Sequence, residues 1–210
     1  MKIISHRGYW LNESEKNTLT AFQRSFSLNF GTETDIRDFN GDLVISHDIA
    51  NKSCIRLTDF FNLYNSKNNQ SLLALNIKSD GLQEMLLKSL KTHSIHNYFV
   101  FDMSIPDTIK YLRDGINVFI RQSEYESGTL FYGRASGIWL DAFEDVWYSE
   151  ELVKRHLDNG KKVVLVSSEL HNREYLNHWN ILKNWSFIND DNLILCTDLP
   201  QVAIKFFKYE

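Results

Sequence analysis

The sequence predicts an α/β fold, and three observations lead to this prediction. Short apolar segments rich in β-branched and aromatic residues alternate with longer segments in which apolar residues recur every three or four positions. Eight strand candidates are present, and most of them precede a helix candidate. Hydrophobic residues make up 43% of the 210 residues, which is enough for a sizeable core. Because strands joined by helices run parallel, the pattern indicates a parallel sheet with helical connections.

The strand candidates are short apolar runs bounded by turn-forming or charged residues. In chain order they are residues 2–5, 31–37, 72–77, 98–103, 116–120, 137–141, 162–166 and 192–196. A short hairpin extension is expected at 41–48, after the second strand. The segment 122–134 has no clean helical period, so it is expected to be an irregular loop.

The helix candidates are amphipathic. In the first of them Leu19, Phe22 and Phe26 recur at spacings of three and four, which predicts one buried face. Asn17 or Thr18 is expected to cap its start, because both side chains can accept a hydrogen bond from the first turn. The seven candidates are residues 18–28, 57–65, 81–92, 106–114, 149–159, 173–185 and 200–207.

Two architectures fit this order of elements, a closed (β/α)8 barrel and an open doubly wound sheet. Eight strands favour the barrel, because a closed ring of eight leaves no edge strand. The chain is shorter than the roughly 250 residues typical of such barrels, so its connections must be short. No linker, repeat or change of composition marks a boundary, and residues 1–210 are predicted to form one domain.

Composition excludes several classes of protein. Lys and Arg number 23 against 27 Asp and Glu, and a net charge of −4 gives no attraction to nucleic acid or anionic lipid. No run is apolar and long enough for a signal peptide or a membrane span, so a cytoplasmic protein without stable membrane insertion is expected. Cys54 and Cys196 are interpreted as buried small apolar residues. Five histidines are interpreted as surface residues: His93, His96, His156, His171 and His178.

Polar residues gather at the predicted ends of strands, where the chemistry of barrels of this kind is found. The first strand ends in His6 and Arg7, and the hairpin extension delivers His47. Glu33 and Asp35 are two residues apart and therefore share one face of the second strand. Further candidates at strand ends are Asn76, Lys78, Asp102, Asp141 and Asp198.

These residue types indicate chemistry on a phosphate ester. Two carboxylates on one strand face repel each other unless a cation compensates them, and a divalent cation such as Mg²⁺ or Ca²⁺ prefers oxygen ligands. His6 and His47 can serve as proton donor and acceptor, or one of them as the nucleophile. Arg7 supplies a fixed positive charge for an anion, as does Lys78. The set predicts metal-dependent hydrolysis of a phosphate ester.

An ordered series of motifs resembles the glycerophosphodiester phosphodiesterases. The motifs are His6-Arg7-Gly8, Asn17-Thr18, Gly31-Thr32-Glu33-Thr34-Asp35, Gly41 and Val44 to His47-Asp48, Asn76-Ile77-Lys78, and Thr197-Asp198-Leu199-Pro200. The resemblance implies a (β/α)8 barrel of the phospholipase C-like type. It also implies cleavage of a small-molecule glycerophosphodiester to glycerol 3-phosphate and an alcohol. The roles that it implies are catalysis by His6 and His47, phosphate binding by Arg7 and Lys78, and metal binding by Glu33 and Asp35. The amide oxygen of Asn76 is a further candidate ligand of the metal.

One departure from the family pattern leaves an alternative open. Asn76 stands where the family has a third acidic ligand, so the site loses one negative charge, and Asp102 or Asp141 could compensate. The alternative is a barrel that binds a phosphodiester or a sugar phosphate without hydrolysing it. An unrelated sugar-phosphate isomerase or aldolase on the same fold is a third reading, since fold alone does not determine the reaction. The oligomeric state is left open.

Overall fold

A computed structural model describes residues 1–67, 70–126 and 130–208, which fall into two compact units. The N-terminal unit is Ser5–Val118, and the C-terminal unit combines Met1–Ile4 with Phe119–Glu210. Strand β1 (Lys2–Ser5) begins in the C-terminal unit, and its last residue is the first of the N-terminal unit. Each unit has strands connected by helices, so the predicted α/β class is confirmed.

The N-terminal unit contains a five-stranded sheet in the order β4-β3-β2-β5-β6. Strands β2, β5 and β6 are parallel, whereas β3 and β4 extend the sheet antiparallel beyond β2, where the hairpin extension is predicted. Its elements are α1 (Leu19–Ser27), β2 (Gly31–Phe39), β3 (Asp42–Ile45), β4 (Ile55–Arg56), α2 (Leu57–Ser66), β5 (Leu73–Ile77), α3 (Gln83–Thr92), β6 (Tyr98–Phe101) and α4 (Ile105–Arg113).

Aromatic side chains join α1 to α2 and hold both helices in this unit. Phe22 and Phe60 meet with ring centroids 4.6 Å apart, and Phe26 packs edge-on against Tyr64 at 5.3 Å. All four side chains are buried, so Phe22 and Phe26 lie on the buried face of α1, as their spacing predicts. The start of α1 is capped by Thr18, whose side chain accepts a hydrogen bond from the backbone N–H of Ala21.

The C-terminal unit contains a sheet in the order β1-β10-β9-β8-β7, in which β7 to β10 are parallel. Strand β9 is buried along its last four residues, as expected for a parallel strand covered on both faces. The other elements are β7 (Phe119–Gln122), β8 (Gly137–Leu140), α5 (Glu150–Asp158), β9 (Lys162–Val166), α6 (Leu176–Lys183), β10 (Leu193–Thr197) and α7 (Pro200–Lys208).

Every predicted strand and helix is present, and the differences lie at their ends. The fifth predicted strand, 116–120, is observed as β7 and begins three residues later, at Phe119. The predicted helix 173–185 is shortened to α6. The two-residue strand β4 and the 3₁₀ turns Glu13–Glu15 and Ser168–His171 are not predicted. Within the predicted loop 122–134, Ser123 forms a bridge with Glu126, and residues 127–129 lie outside the described part.

Several residues differ in burial from their sequence interpretation, among them Leu19, which was predicted on the buried face of the first helix and is exposed. His156 and His178 are buried rather than on the surface, because distant side chains satisfy their ring nitrogens. His178 lies 3.0 Å from the Tyr148 hydroxyl and 3.1 Å from that of Ser168. Cys54 is partly exposed, whereas Cys196 is buried as expected. None of the helices in the described part of the chain combines the length and the apolar character needed to cross a bilayer.

Candidate active site

A tight loop after β1 carries two of the predicted site residues. Arg7 and Gly8 both adopt left-handed backbone conformations, with φ of 55° and 84°. A Cβ atom on Gly8 would lie 2.7 Å from that of Ala21, so only glycine fits without a shift of α1. The backbone N–H of Arg7 donates to Glu33 Oε2 at 3.2 Å, and His6 Nε2 lies 3.9 Å from the same oxygen. The loop thus brings His6 and Arg7 to the acidic residues of β2.

Glu33 and Asp35 form the acidic centre of the site, and both are almost completely buried. Burial raises the pKa of Glu33 to about 7, and the negative charge of Asp35 acts in the same direction. Asp35 Oδ2 lies 3.1 Å from Arg7 Nε and accepts a hydrogen bond from Asn17 Nδ2 at 2.8 Å. The raised pKa means that Glu33 keeps its proton more readily than an ordinary carboxyl group does.

Asn17 has a role that its interpretation as a helix cap does not include. Thr18 is the cap, while the Asn17 amide donates to Asp35 and its Oδ1 accepts a hydrogen bond from the Thr34 hydroxyl at 2.9 Å. Its φ of 60° and its backbone bond to Arg7 O place it beside the His6–Arg7 loop. The available signal was its place in the Asn17-Thr18 motif, since spacing alone does not relate it to β2.

Lys78 and Asn76 join the acidic centre from β5. In the parallel pairing of β2 with β5, Asn76 is the register partner of Asp35, so the two side chains share one face of the sheet. Lys78 Nζ lies 3.6 Å from Asp35 Oδ1 and 3.1 Å from Oδ2 of Asp102, the residue directly after β6. Of the two acids proposed to compensate for Asn76, Asp102 is therefore in contact with a predicted site residue.

His47 lies on the loop that follows β3, and the structure ties this loop to β2. The backbone N–H of Ser46 donates to Asp35 O at 3.0 Å, and the Arg37 guanidinium donates to the carbonyl of His47. His47 Nδ1 is 2.9 Å from Asp48 Oδ1, and this hydrogen bond is the main cause that lowers the pKa of Asp48. His47 is thus positioned beside the strand of the acidic pair, with its imidazole held by Asp48.

The other predicted acids lie in the C-terminal unit and have partners there. Asp141 follows β8, with its Oδ1 at 2.7 Å from His171 Nε2, and it also accepts a hydrogen bond from the backbone of Ala142. The backbone N–H of Asp198 donates to Glu169, which also accepts from the Thr197 hydroxyl. Asp141 and Asp198 therefore both have polar contacts within the C-terminal unit.

The donor set of the N-terminal unit fits a hard cation. Asp35 Oδ1 and Asn76 Oδ1 are buried oxygen atoms without a hydrogen-bond partner, which is costly unless another group binds them. Glu33 adds a second carboxylate on the same strand face. Across residues 1–67, 70–126 and 130–208, no cluster of three or more His, Cys, Asp or Glu side chains is placed to hold a metal ion. Any cation here would therefore depend on two carboxylates and an amide oxygen.

Comparison with known proteins identifies the fold. No protein-family model matches the sequence, and no curated protein matches it. A glycerophosphodiester phosphodiesterase from Parabacteroides distasonis matches with a TM-score of 0.74 and 16% identity, over 99% of this chain and 96% of that one. The fold is that of the glycerophosphodiester phosphodiesterases. The resemblance stated from the sequence motifs is thereby confirmed at the level of the fold.

Two further structures show how far this likeness extends. A phosphodiesterase from Oleispira antarctica in complex with the product sn-glycerol-3-phosphate has a TM-score of 0.72 and 15% identity, over 100% of this chain and 97% of that one. A Ca²⁺-dependent phosphatidylinositol-specific phospholipase C from Streptomyces antibioticus has a TM-score of 0.56 and 7% identity, over 96% and 95%. Identities this low establish a common fold, so the chemistry must be argued from the residues of this chain.

Proposed function

We propose that this chain hydrolyses phosphodiesters, with a small glycerophosphodiester as substrate and glycerol 3-phosphate and an alcohol as products. One observation carries the proposal: two cations, Arg7 and Lys78, lie within 3.6 Å of one buried carboxylate, Asp35, beside Glu33 and His6. Such a cluster can bind an anion and stabilise charge that develops on it. The structure of the Oleispira antarctica phosphodiesterase in complex with the product sn-glycerol-3-phosphate supports this choice of substrate.

The proposal includes the complete architecture predicted from the sequence. A closed (β/α)8 barrel of residues 1–210 as one domain is supported by the repeated alternation of strands and helices in the described residues and by solved structures that match almost the whole chain. In such a barrel the active site lies at the carboxyl ends of the strands, where β2, β5 and β6 carry their polar residues. The cytoplasmic location and the lack of a nucleic acid partner stay predictions from the sequence.

A divalent cation is part of the proposed function, and Mg²⁺ and Ca²⁺ are the candidates. Glu33, Asp35 and Asn76 are the residues proposed to hold it, because oxygen donors suit hard cations. When bound, such an ion supplies a positive charge that polarises a phosphoryl oxygen. The Ca²⁺ dependence of the Streptomyces antibioticus phospholipase C is consistent with this assignment.

The remaining roles belong to the charged and imidazole side chains. Arg7 and Lys78 are proposed to bind the non-bridging oxygens of the phosphate and to stabilise their increased charge in the transition state. One of His6 and His47 is proposed to take the proton of the nucleophile or to attack itself, and the other to protonate the leaving alkoxide. Asp48 would keep the His47 imidazole in one orientation through the 2.9 Å contact.

Substitution of the two histidines tests the proposal. His6→Ala and His47→Ala are expected each to abolish turnover of a panel of glycerophosphodiesters in the presence of Mg²⁺ or Ca²⁺. His96→Ala is the matched control, because it removes an exposed imidazole of the same unit. If both variants retained full turnover, the catalytic assignment would be wrong. If choline or inositol were released from diesters that contain no glycerol, the glycerol specificity would be wrong.

Asn76 favours a second candidate function, a barrel that binds phosphodiesters without hydrolysing them. The amide contributes an oxygen but no charge, so a cation is held less tightly than by three carboxylates. Calorimetric titration separates the two functions. Binding of glycerol 3-phosphate without any binding of Mg²⁺ or Ca²⁺, together with no turnover, would favour the second function.

A further inference from the structure

Lys78 is shared unequally between two carboxylates. Its ammonium donates a hydrogen bond to Asp102 Oδ2 at 3.1 Å, whereas Asp35 Oδ1 lies 3.6 Å away, beyond hydrogen-bond distance. Asp35 Oδ2, by contrast, is contacted by Arg7 and Asn17. Asp35 Oδ2 therefore has polar partners, whereas Asp35 Oδ1 is buried without a hydrogen bond, although Lys78 is close to it.

The position of Asp102 is not explained by helix capping. Asp102 follows β6 and has a φ of 74°. This left-handed conformation costs a residue with a side chain about 1 kcal/mol or more. The next helix, α4, is capped by Ser104, whose side chain accepts from the backbone N–H of Asp107. The Asp102 carboxylate lies against the Lys78 ammonium, at 3.1 Å.

We propose that Asp102 is a positioning residue, which draws the Lys78 ammonium away from Asp35 and so keeps Asp35 Oδ1 available to a divalent cation. This inference rests on the proposed function of the site. A lysine fully paired with Asp35 would compete for the same oxygen, because an ammonium and a metal ion cannot both occupy its open side. The competition matters here because Asn76 supplies no charge, which leaves Glu33 and Asp35 as the carboxylates of the proposed cation site.

Calorimetric titration of the full chain with CaCl₂ and MgCl₂, without substrate, tests this role. Asp102→Asn is expected to weaken cation binding about tenfold, since Lys78 would then pair with Asp35. In a Lys78→Met background the same substitution should change the affinity less than about twofold, because its effect passes through Lys78. Asp102→Glu, which keeps the charge, should retain most of the affinity. Asp114→Asn, which removes an exposed carboxylate of the same unit, is the matched control.

Each alternative outcome has a definite meaning once thermal unfolding has shown that the variants are folded. Unchanged cation binding by Asp102→Asn would overturn the inference. So would an equal loss in the Lys78→Met background, since it would show that Asp102 acts on the cation directly. If the unaltered chain hydrolysed the diester and bound the cation while Asp102→Asn behaved identically, the inference alone would fail. If the unaltered chain bound no divalent cation, both the inference and the proposed cation site would fail.

Discussion

Asp35 and Asn76 are the two residues of the candidate site that matter most for cation binding. Each has a buried side-chain oxygen atom without a hydrogen bond. Buried polar atoms of this kind reduce stability unless a ligand binds them. A cation bound by these two neighbouring side chains of β2 and β5 would therefore stabilise the chain. Sequence spacing predicted that Glu33 and Asp35 share a face, but it could not show the register that pairs Asp35 with Asn76.

Replacement of Asn76 by an acid tests how much the missing charge matters. Asn76→Glu is expected to tighten Ca²⁺ binding about tenfold and to lower the melting temperature of the cation-free chain, because a third carboxylate is added to a buried acidic pair. Calorimetry and thermal unfolding with and without Ca²⁺ measure both effects. Asn76→Gln is the control, since it has the length of Glu without the charge. Equal behaviour of the two variants would contradict the electrostatic explanation.

Gly8 is the residue at which backbone conformation and close packing coincide. Gly8→Ala is expected to lower the free energy of unfolding by about 2–4 kcal/mol, since the new Cβ would meet Ala21 at 2.7 Å in a left-handed conformation. Gly115→Ala is the matched control, because its φ of 72° is similar but no atom lies within 4 Å. Denaturant unfolding measures both. A loss at Gly115 as large as that at Gly8 would show that conformation alone is responsible.

At the scale of elements, a buried hydrogen-bonded chain links three segments of the C-terminal unit. His178 on α6 contacts Tyr148, which precedes α5, and Ser168, in the 3₁₀ turn after β9. Burial, with a contribution from the Arg173 charge, lowers the pKa of His178 to about 4. The neutral imidazole is therefore the form that connects these segments.

This lowered pKa predicts how stability depends on pH. The unfolded chain, with a histidine pKa of about 6.5, binds a proton that the folded chain does not bind until the pH approaches 4. The free energy of unfolding should therefore fall as the pH drops from about 6.5 to about 4, by at most about 3 kcal/mol. Urea unfolding across this range should show a shallower slope for His178→Gln than for His96→Gln, which alters an exposed residue. Equal slopes would contradict the prediction.

The sequence predicts most elements of the fold because their apolar residues recur with the period of a helix or a strand. Elements too short to show such a period are missed. A two-residue strand such as β4 has no alternation to detect, and its existence depends on pairing with β3. His156 was misread because its partners, Gln122 and Tyr132, are 34 and 24 residues distant along the chain. The contact of Asn17 with Asp35 crosses 18 residues. In each case the deciding interaction is non-local, whereas periodicity reports on local structure.

At the scale of the whole molecule, the fold matches solved structures along nearly the entire chain, although at most 16% of residues are identical in those compared. The likeness at this level of identity is one of fold, so the roles of the strand-end residues are argued from their contacts in this chain. At a strand end, Asn76 departs from the family pattern that the sequence motifs otherwise resemble.

The predicted single domain has a calorimetric consequence. Residues 1–210 are expected to unfold in one cooperative transition, because a closed barrel would bury one continuous core. Differential scanning calorimetry should give equal calorimetric and van't Hoff enthalpies. Two resolved transitions, one for the N-terminal unit and one for the C-terminal unit, would contradict the single-domain prediction.

The different exposure of the two thiols provides a probe of the candidate site. Cys196 is buried in β10, whereas Cys54 is partly exposed and shares the loop between β3 and β4 with His47. A maleimide fluorophore added to the native chain should consequently label Cys54 and spare Cys196. The attached dye would report ligand occupancy optically, in an otherwise unmodified protein and without a coupled assay.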